Sequence, residues 1–202
     1  MAFNINAFKQ NALKGGGARP TLFEVTIDNP VAIVDARFFV QATSVPASKV
    51  QAIDVPYFGR KVRVAGDRTF DDWRVTCIND ENFRLRNSME SWMNLLNNHE
   101  GNYRSLTNPA SYSRNATVTQ LSQDGGGVLA IYKFFNLFPI DVAEISLDWN
   151  ADNQIETFDV TFTYDYWEHL GVTNIGTTNA GTLLKFSSDP LPPITGPAAR
   201  GA

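Results

Sequence analysis

The chain is poor in the residues that usually carry metal and redox chemistry, with one cysteine and two histidines among 202 residues. A lone Cys77 cannot close a disulfide within one chain. Its place on the apolar side of an alternating pattern makes it a small buried hydrophobe. His99 and His169 stand in no metal-ligand spacing with each other or with Cys77, so no metal site is expected. No cofactor motif is present either: Gly15 to Gly17 and Gly125 to Gly127 lack the Lys-Ser/Thr of a phosphate loop, and no Gly-x-Ser-x-Gly elbow occurs. There is no run of about 18 apolar residues, and the N-terminus lacks the basic-then-apolar layout of a signal peptide. Neither membrane insertion nor export is therefore expected. Charge is scarce as well: charged residues make up 19%, and 17 Lys and Arg against 21 Asp and Glu leave a net charge of -4. That balance argues against a protein that grips a nucleic-acid backbone by neutralising phosphates.

What the chain has in quantity is apolar and aromatic material, 43% hydrophobic with 14 Phe. A single core can be built at this length, and the low charge predicts that some apolar surface is covered by partners. Three regions follow: a flexible arm at 1–20, a β-sandwich body at 21–169 and an extended tail at 170–202. The arm has Lys9, Lys14 and Arg19, no acid and three successive glycines. The tail is rich in Gly, Thr and Asn and then in Pro. Leu183, Leu184 and Phe186 within it are apolar enough to dock on a neighbour.

Within the body the patterning is mainly that of β-strands. Phe23, Val25 and Ile27 alternate with Glu24 and Thr26, and Asp28-Asn29-Pro30 closes the strand. Phe38 to Thr43 is a second strand. Pro46 and Pro56 bracket a stretch that cannot lie deep in a sheet, so residues 45–60 are placed in a projecting loop or edge hairpin with apolar tips at Val50, Ile53, Val55, Tyr57 and Phe58. From Val64 to Asp72 the sequence reads as a polar turn, with Gly66 giving backbone freedom and Asp67 bonding its own backbone or Arg68. It feeds a strand whose Trp73, Val75 and Cys77 face one way and Arg74 and Thr76 the other. A flanking helix begins at Asn79 or Asp80 and carries Leu85, Met89, Trp92, Met93 and Leu96 on one stripe, with Gly101 as its stop. Thr117 to Gln123 and Val128 to Leu137 flank a glycine-rich hairpin turn. Pro139 ends that run, Val142 to Trp149 forms another strand, and Ile155 to Tyr166 forms the longest. In this last strand Phe158, Val160, Phe162, Tyr164 and Tyr166 share one face, while Thr157, Asp159, Thr161, Thr163 and Asp165 share the other. At about 3.3 Å per residue it would reach roughly 40 Å, which overshoots a compact domain. Strands continuing across subunits into an oligomeric β-barrel would leave no free edge.

Three stretches carry a family resemblance. Ala65-Gly66-Asp67-Arg68-Thr69-Phe70-Asp71-Asp72-Trp73, the segment from Leu147 to Glu168 ending Tyr164-Asp165-Tyr166-Trp167-Glu168, and Ala18-Arg19-Pro20-Thr21-Leu22-Phe23 together resemble the tail tube proteins of contractile-tailed, T-even-like bacteriophages. The likeness spans residues 18 to 168 and thins around Gly125. It implies a virion protein, made in the host cytoplasm, with a β-sandwich or barrel-like fold and one flanking helix. Such subunits form hexameric rings that stack into the tube through which DNA leaves. The implied partners are the chain itself, the tail sheath, the baseplate, a tail terminator and a tape-measure protein. DNA would pass without specific binding, and no enzyme activity, cofactor or membrane is implied.

The resemblance also suggests roles. A loop in the 45–60 region stacks one ring on the next. Gly66, Asp67, Arg68, Thr69, Phe70, Asp71, Asp72 and Trp73 form the family motif, with the charged members available for a subunit boundary. If Thr157, Asp159, Thr161, Thr163 and Asp165 line the bore, their carboxylates repel phosphate; an ordinary solvent-facing side is the alternative. Two rival functions remain at this level: the tube of a bacterial contractile secretion or injection apparatus, and a small hydrolase using His99 or His169 with an aspartate.

Overall fold

The computed structural model describes residues 4–11, 13, 16–30, 36–123 and 127–171. The strands are β1 (Phe23–Ile27), β2 (Val40–Thr43), β3 (Lys49–Tyr57), β4 (Arg60–Thr69), β5 (Trp73–Ile78), β6 (Arg114–Leu121), β7 (Val128–Val142), β8 (Thr157–Thr163) and β9 (Tyr166–Leu170). The helices are α1 (Ile5–Asn11), α2 (Arg84–Leu96) and the four-residue α3 (Pro109–Tyr112). Seven strands form one antiparallel sheet in the order β1-β6-β7-β8-β5-β2, with β9 also on β7, and β3 with β4 forms a separate hairpin.

β7 is the spine of the molecule. Its first part takes β6 on one edge and β9 on the other, and beyond Leu137, where β6 has ended, it takes β8. The ladder bends between these halves. Two β7 residues, Phe135 and Asn136, stand opposite one residue of β6, and Asn136 has φ 57, a left-handed conformation that asparagine tolerates better than most residues. The Asn136 amide donates to Asp165 Oδ2 at 2.7 Å, fixing the matching kink between β8 and β9.

The bend folds one half of the sheet over the other. Trp73 of β5 stacks on Phe134 of β7 with ring centroids 4.5 Å apart, and Phe162 of β8 lies 5.6 Å from Trp73. Val25, Ile27, Val118, Val75, Cys77, Phe158 and Val160 complete the interior. Helix α2 adds Leu85, Met89 and Trp92, and Trp92 reaches to 6.4 Å of Phe162. Both buried indoles satisfy their N–H groups: Trp73 Nε1 donates to the Ser44 carbonyl at 3.2 Å and Trp92 Nε1 to the Tyr112 carbonyl at 2.9 Å. The β-sandwich with one flanking helix expected from the sequence is the architecture observed.

Several sequence-level boundaries are corrected. The supposed turn from Val64 to Thr69 is strand β4, and only Phe70 to Asp72 links it to β5. Gly66 occupies a bulge, where Gly66 and Asp67 face Gln51. A Cβ at Gly66 would come within 3.0 Å of the Gln51 carbonyl oxygen, so close approach rather than backbone freedom is what glycine supplies there. Pro139 does not end β7. It lies inside the strand beside a bulge and past the end of β6, a position where a missing N–H is tolerated. Residues 143–148 form no strand, and the supposed longest strand is two, β8 and β9, broken at Tyr164-Asp165. Helix α2 starts at Arg84 after Phe83, whose φ is 53, and ends at Leu96 rather than near Gly101. Asp80 still caps in part, its Oδ1 accepting from the Arg84 N–H at 2.8 Å. The β6–β7 hairpin is as expected, although Asp124, Gly125 and Gly126 lie outside the described residues.

Burial pushes the Cys77 thiol up to about 12, with the nearby Asp159 charge adding to the rise. The thiolate is therefore almost absent at neutral pH. Iodoacetamide at pH 8 should leave Cys77 unmodified in the folded protein and alkylate it fully in denaturant, as read by mass spectrometry.

Candidate assembly surfaces

The β3–β4 hairpin stands away from the core, and every residue of β3 is exposed. Its cross-strand pairs sort into two faces. Ile53 opposes Val64 and Val55 opposes Val62 on one face, while Asp54 opposes Arg63 and Pro56 opposes Lys61 on the other. Asp54 accepts Lys61 Nζ at 3.2 Å and lies 3.5 Å from Arg63 Nε. Among the described residues the apolar face has no such partner, and Ile53, Val55, Val62 and Val64 are all exposed. A two-stranded ribbon of this kind is marginal in water on its own.

At the tip, Tyr57 pairs with Arg60 across Phe58 and Gly59, whose φ angles are 42 and 78. Positive φ at both central residues is the geometry of a type I′ turn, for which Asn-Gly is the comfortable choice. Phenylalanine at the first position is strained and also 91% exposed. Its ring meets Tyr57 edge-on at 4.7 Å. Folding gives no reason for an aromatic here. The base of the hairpin is held by the Lys49–Asp71 ion pair and by Trp167 Nε1, which donates to the Ala47 carbonyl at 3.2 Å.

The motif residues are thus divided among different surroundings. Gly66, Asp67, Arg68 and Thr69 belong to the hairpin, Asp71 braces it, Phe70 lies 6.0 Å from Tyr164, and Trp73 is core. Asp67 and Arg68 form no ion pair among the described residues.

Thr157, Asp159, Thr161 and Thr163 lie on the face of β8 turned away from Phe158, Val160 and Phe162, with Asp165 in the kink. The two carboxylates already have partners. Asp159 accepts Thr76 Oγ1 at 2.6 Å and pairs with Arg74, and Asp165 accepts from Asn136. The Thr76 hydroxyl first, then Arg74, holds the Asp159 carboxyl below its ordinary 3.8. A depressed folded-state value stabilises the fold above the unfolded value and loses that contribution as pH falls. The stability gap between wild type and Asp159→Asn should therefore be full above pH 3.8 and close as pH falls through and below it, as read from urea midpoints.

Three sheet strands are hydrogen-bonded on one edge among the described residues: β1 by β6, β2 by β5 and β9 by β7. Sequence reasoning missed a further exposed surface, the loop of residues 143–156, because it assigned Val142 to Trp149 to a strand. Trp149 is wholly exposed there, and Leu147 and Ile155 are nearly so. A tryptophan between Asp148 and Asn150 was the available signal, since Asx residues on both sides favour a turn.

The two histidines assemble no catalytic group: His99 is exposed beyond α2, and His169 on β9 stacks on Tyr132 at 4.7 Å. Surfaces of this kind suit a polymer, and comparison with known proteins decides which one. A family model described as phage tail tube protein matches residues 7–170. The chain belongs to the phage tail tube protein family. It is 40% identical over 154 residues to the tail tube protein gp19 of Enterobacteria phage T4, covering 76% of this chain and 93% of gp19. The same figures hold for gp19 of Enterobacteria phage T6. Among solved structures, a chain from the PVC sheath/tube terminator of an extracellular contractile injection system aligns with TM-score 0.58 at 14% identity, covering 76% of this chain and 96% of that one. At that identity the likeness concerns the fold alone. As a tail tube protein of a contractile phage, this is a structural, non-enzymatic component of the virion. The hydrolase reading is set aside by family membership, and the secretion-apparatus reading yields to the identity shared with the phage proteins.

Proposed function

We propose that this tail tube protein closes into hexameric rings and that the rings stack through the β3–β4 hairpin into a hollow tube that conducts DNA. The observation that carries the reading is the hairpin itself: a long ribbon, whose apolar face is uncovered among the described residues, ends in a strained and exposed Phe58. The one-sided strands β1, β2 and β9 support lateral closure, because an unpaired edge is a template for a neighbour and a closed ring removes it. Asp67 and Arg68 are available at such a boundary, while Asp71 is paired with Lys49 beside them. The polar face of β8, continued on β5 by Arg74 and Thr76, is assigned to the bore. Thr157, Asp159, Thr161, Thr163 and Asp165 keep it wet, and Arg74 beside Asp159 tempers its negative charge, so passing phosphates are neither held nor strongly repelled.

Sheath, baseplate, terminator and a tape-measure protein complete the assembly in this reading. The arm at 1–20 and the tail at 170–202 flank the folded body and are assigned to contacts with neighbours. Ile5 and Phe8 of α1 are exposed and fit such a contact, while Leu183, Leu184 and Phe186 lie outside the described residues. Negative-stain microscopy of the purified protein tests the proposal. Six-fold rings and rods are expected, and a monomer at every concentration would overturn it.

A further inference from the structure

We infer that the loop of residues 143–156 is the socket that receives the β3–β4 hairpin of a second copy of this chain, an inference that rests on the stacking reading above. Position comes first. The hairpin leaves the sheet beside Trp73, which pairs with Phe162, whereas the loop enters β8 at Thr157, which pairs with Ile78. These are the two ends of one antiparallel strand pair, roughly 17 Å apart by strand rise. Two different surfaces attached at opposite ends of one strand pair can make a heterologous, head-to-tail contact, the kind that propagates rather than closing on itself as a dimer does.

Charge fits the same pairing. Residues 143–156 contain Glu144, Asp148, Asp152 and Glu156 with no Lys or Arg, a net charge of -4. Residues 49–69 carry five basic and two acidic side chains and stand at +3. Among the described residues the four loop carboxylates form no ion pair, and neither does Arg60 at the hairpin tip. Opposite charge steers the encounter and fixes its register.

Shape and polarity agree. Asp148 Oδ1 accepts from the Asn150 backbone N–H at 2.9 Å, a local turn that lifts Trp149 into solvent. Beneath it lies an open cleft of about 450 Å³ lined in part by Ile145, Leu147, Trp149 and Ile155. The loop is anchored from behind, with Asn79 Nδ2 donating to Glu156 Oε2 and Arg86 to the Ala143 carbonyl, both at 2.9 Å. A braced cleft with a mainly polar lining, in which Asp148 and Glu156 stand beside Leu147, Trp149 and Ile155, suits an aromatic tip flanked by arginine and lysine.

A charge exchange tests this. The socket variant Glu144→Lys/Asp152→Lys and the plug variant Arg60→Glu/Lys61→Glu should each lower the yield of sedimentable tubes at least about tenfold, because like charges then meet at the joint. The chain carrying all four substitutions should recover tubes to within about twofold of wild type, which also shows that the variants fold. Normal tubes from the socket variant, or no recovery in the combined chain while circular dichroism reports a native fold, would overturn the inference. Either result would leave stacking intact if wild type still forms tubes. Wild type failing to form tubes would instead remove the stacking reading itself.

Discussion

Replacing Tyr57 and Phe58 together by serine should abolish tube formation and leave the stability of the isolated subunit unchanged within about 0.5 kcal/mol, as exposed sites allow. The separation of the two effects follows from where these rings lie. Phe58 is 91% and Tyr57 63% exposed, and among the described residues their one aromatic contact is with each other. Their removal therefore takes nothing from the core. Phe58 also holds φ 42, a conformation that costs a bulky residue energy, so Phe58→Asn should hold or slightly raise the unfolding midpoint. What is lost lies in the polymer, where aromatic anchors at the centre of a contact carry a disproportionate share of its energy. In the proposed stacked rings each joint would recur around the ring and along the tube, so a weak defect at one site is multiplied. Electron microscopy and sedimentation read the first effect and urea unfolding the second. Tubes of normal length, or a subunit that no longer folds, would contradict the account.

Trp73→Ala should have the opposite profile, with a stability loss of about 3–5 kcal/mol and hence little folded subunit available to assemble. The indole is 2% exposed, stacks on Phe134 and leans on Phe162, so it joins the two halves of the folded sheet. It also donates to the Ser44 carbonyl, which would be left without that donor. Trp73→Phe keeps most of the packing and loses the hydrogen bond, and should cost about 1–3 kcal/mol. Urea unfolding of the three proteins measures both terms, and equal costs for the two substitutions would refute the packing argument. A family motif that reads as charged and turn-like is thus anchored at its end by a residue that joins the two sheet halves.

How far the sequence reached is best judged on particular residues. Trp73, Val75 and Cys77 were legible as one buried face because side chains alternate along any strand, and the observed burial follows that alternation. The stripe Leu85, Met89 and Trp92 was legible for the equivalent helical reason. Val50, Ile53, Val55, Tyr57 and Phe58 were legible as projecting because two prolines barred that stretch from a sheet interior. Asp159 was legible as polar, but its partners Arg74 and Thr76 were not, since they belong to a strand more than eighty residues away.

Local pattern, then, decided the strands, the helix face, the exposed hairpin and the family, because each depends on the order of side chains over a few residues. The fold of the sheet was decided only in three dimensions. The bend of β7 depends on Asn136 meeting Asp165, the tolerance of Pro139 on the ending of β6, and the split between β8 and β9 on the same kink. The opposition of a basic plug and an acidic socket also required the paired register of β5 and β8. Long-range pairing sets these features, and no window of sequence contains both members of the pair.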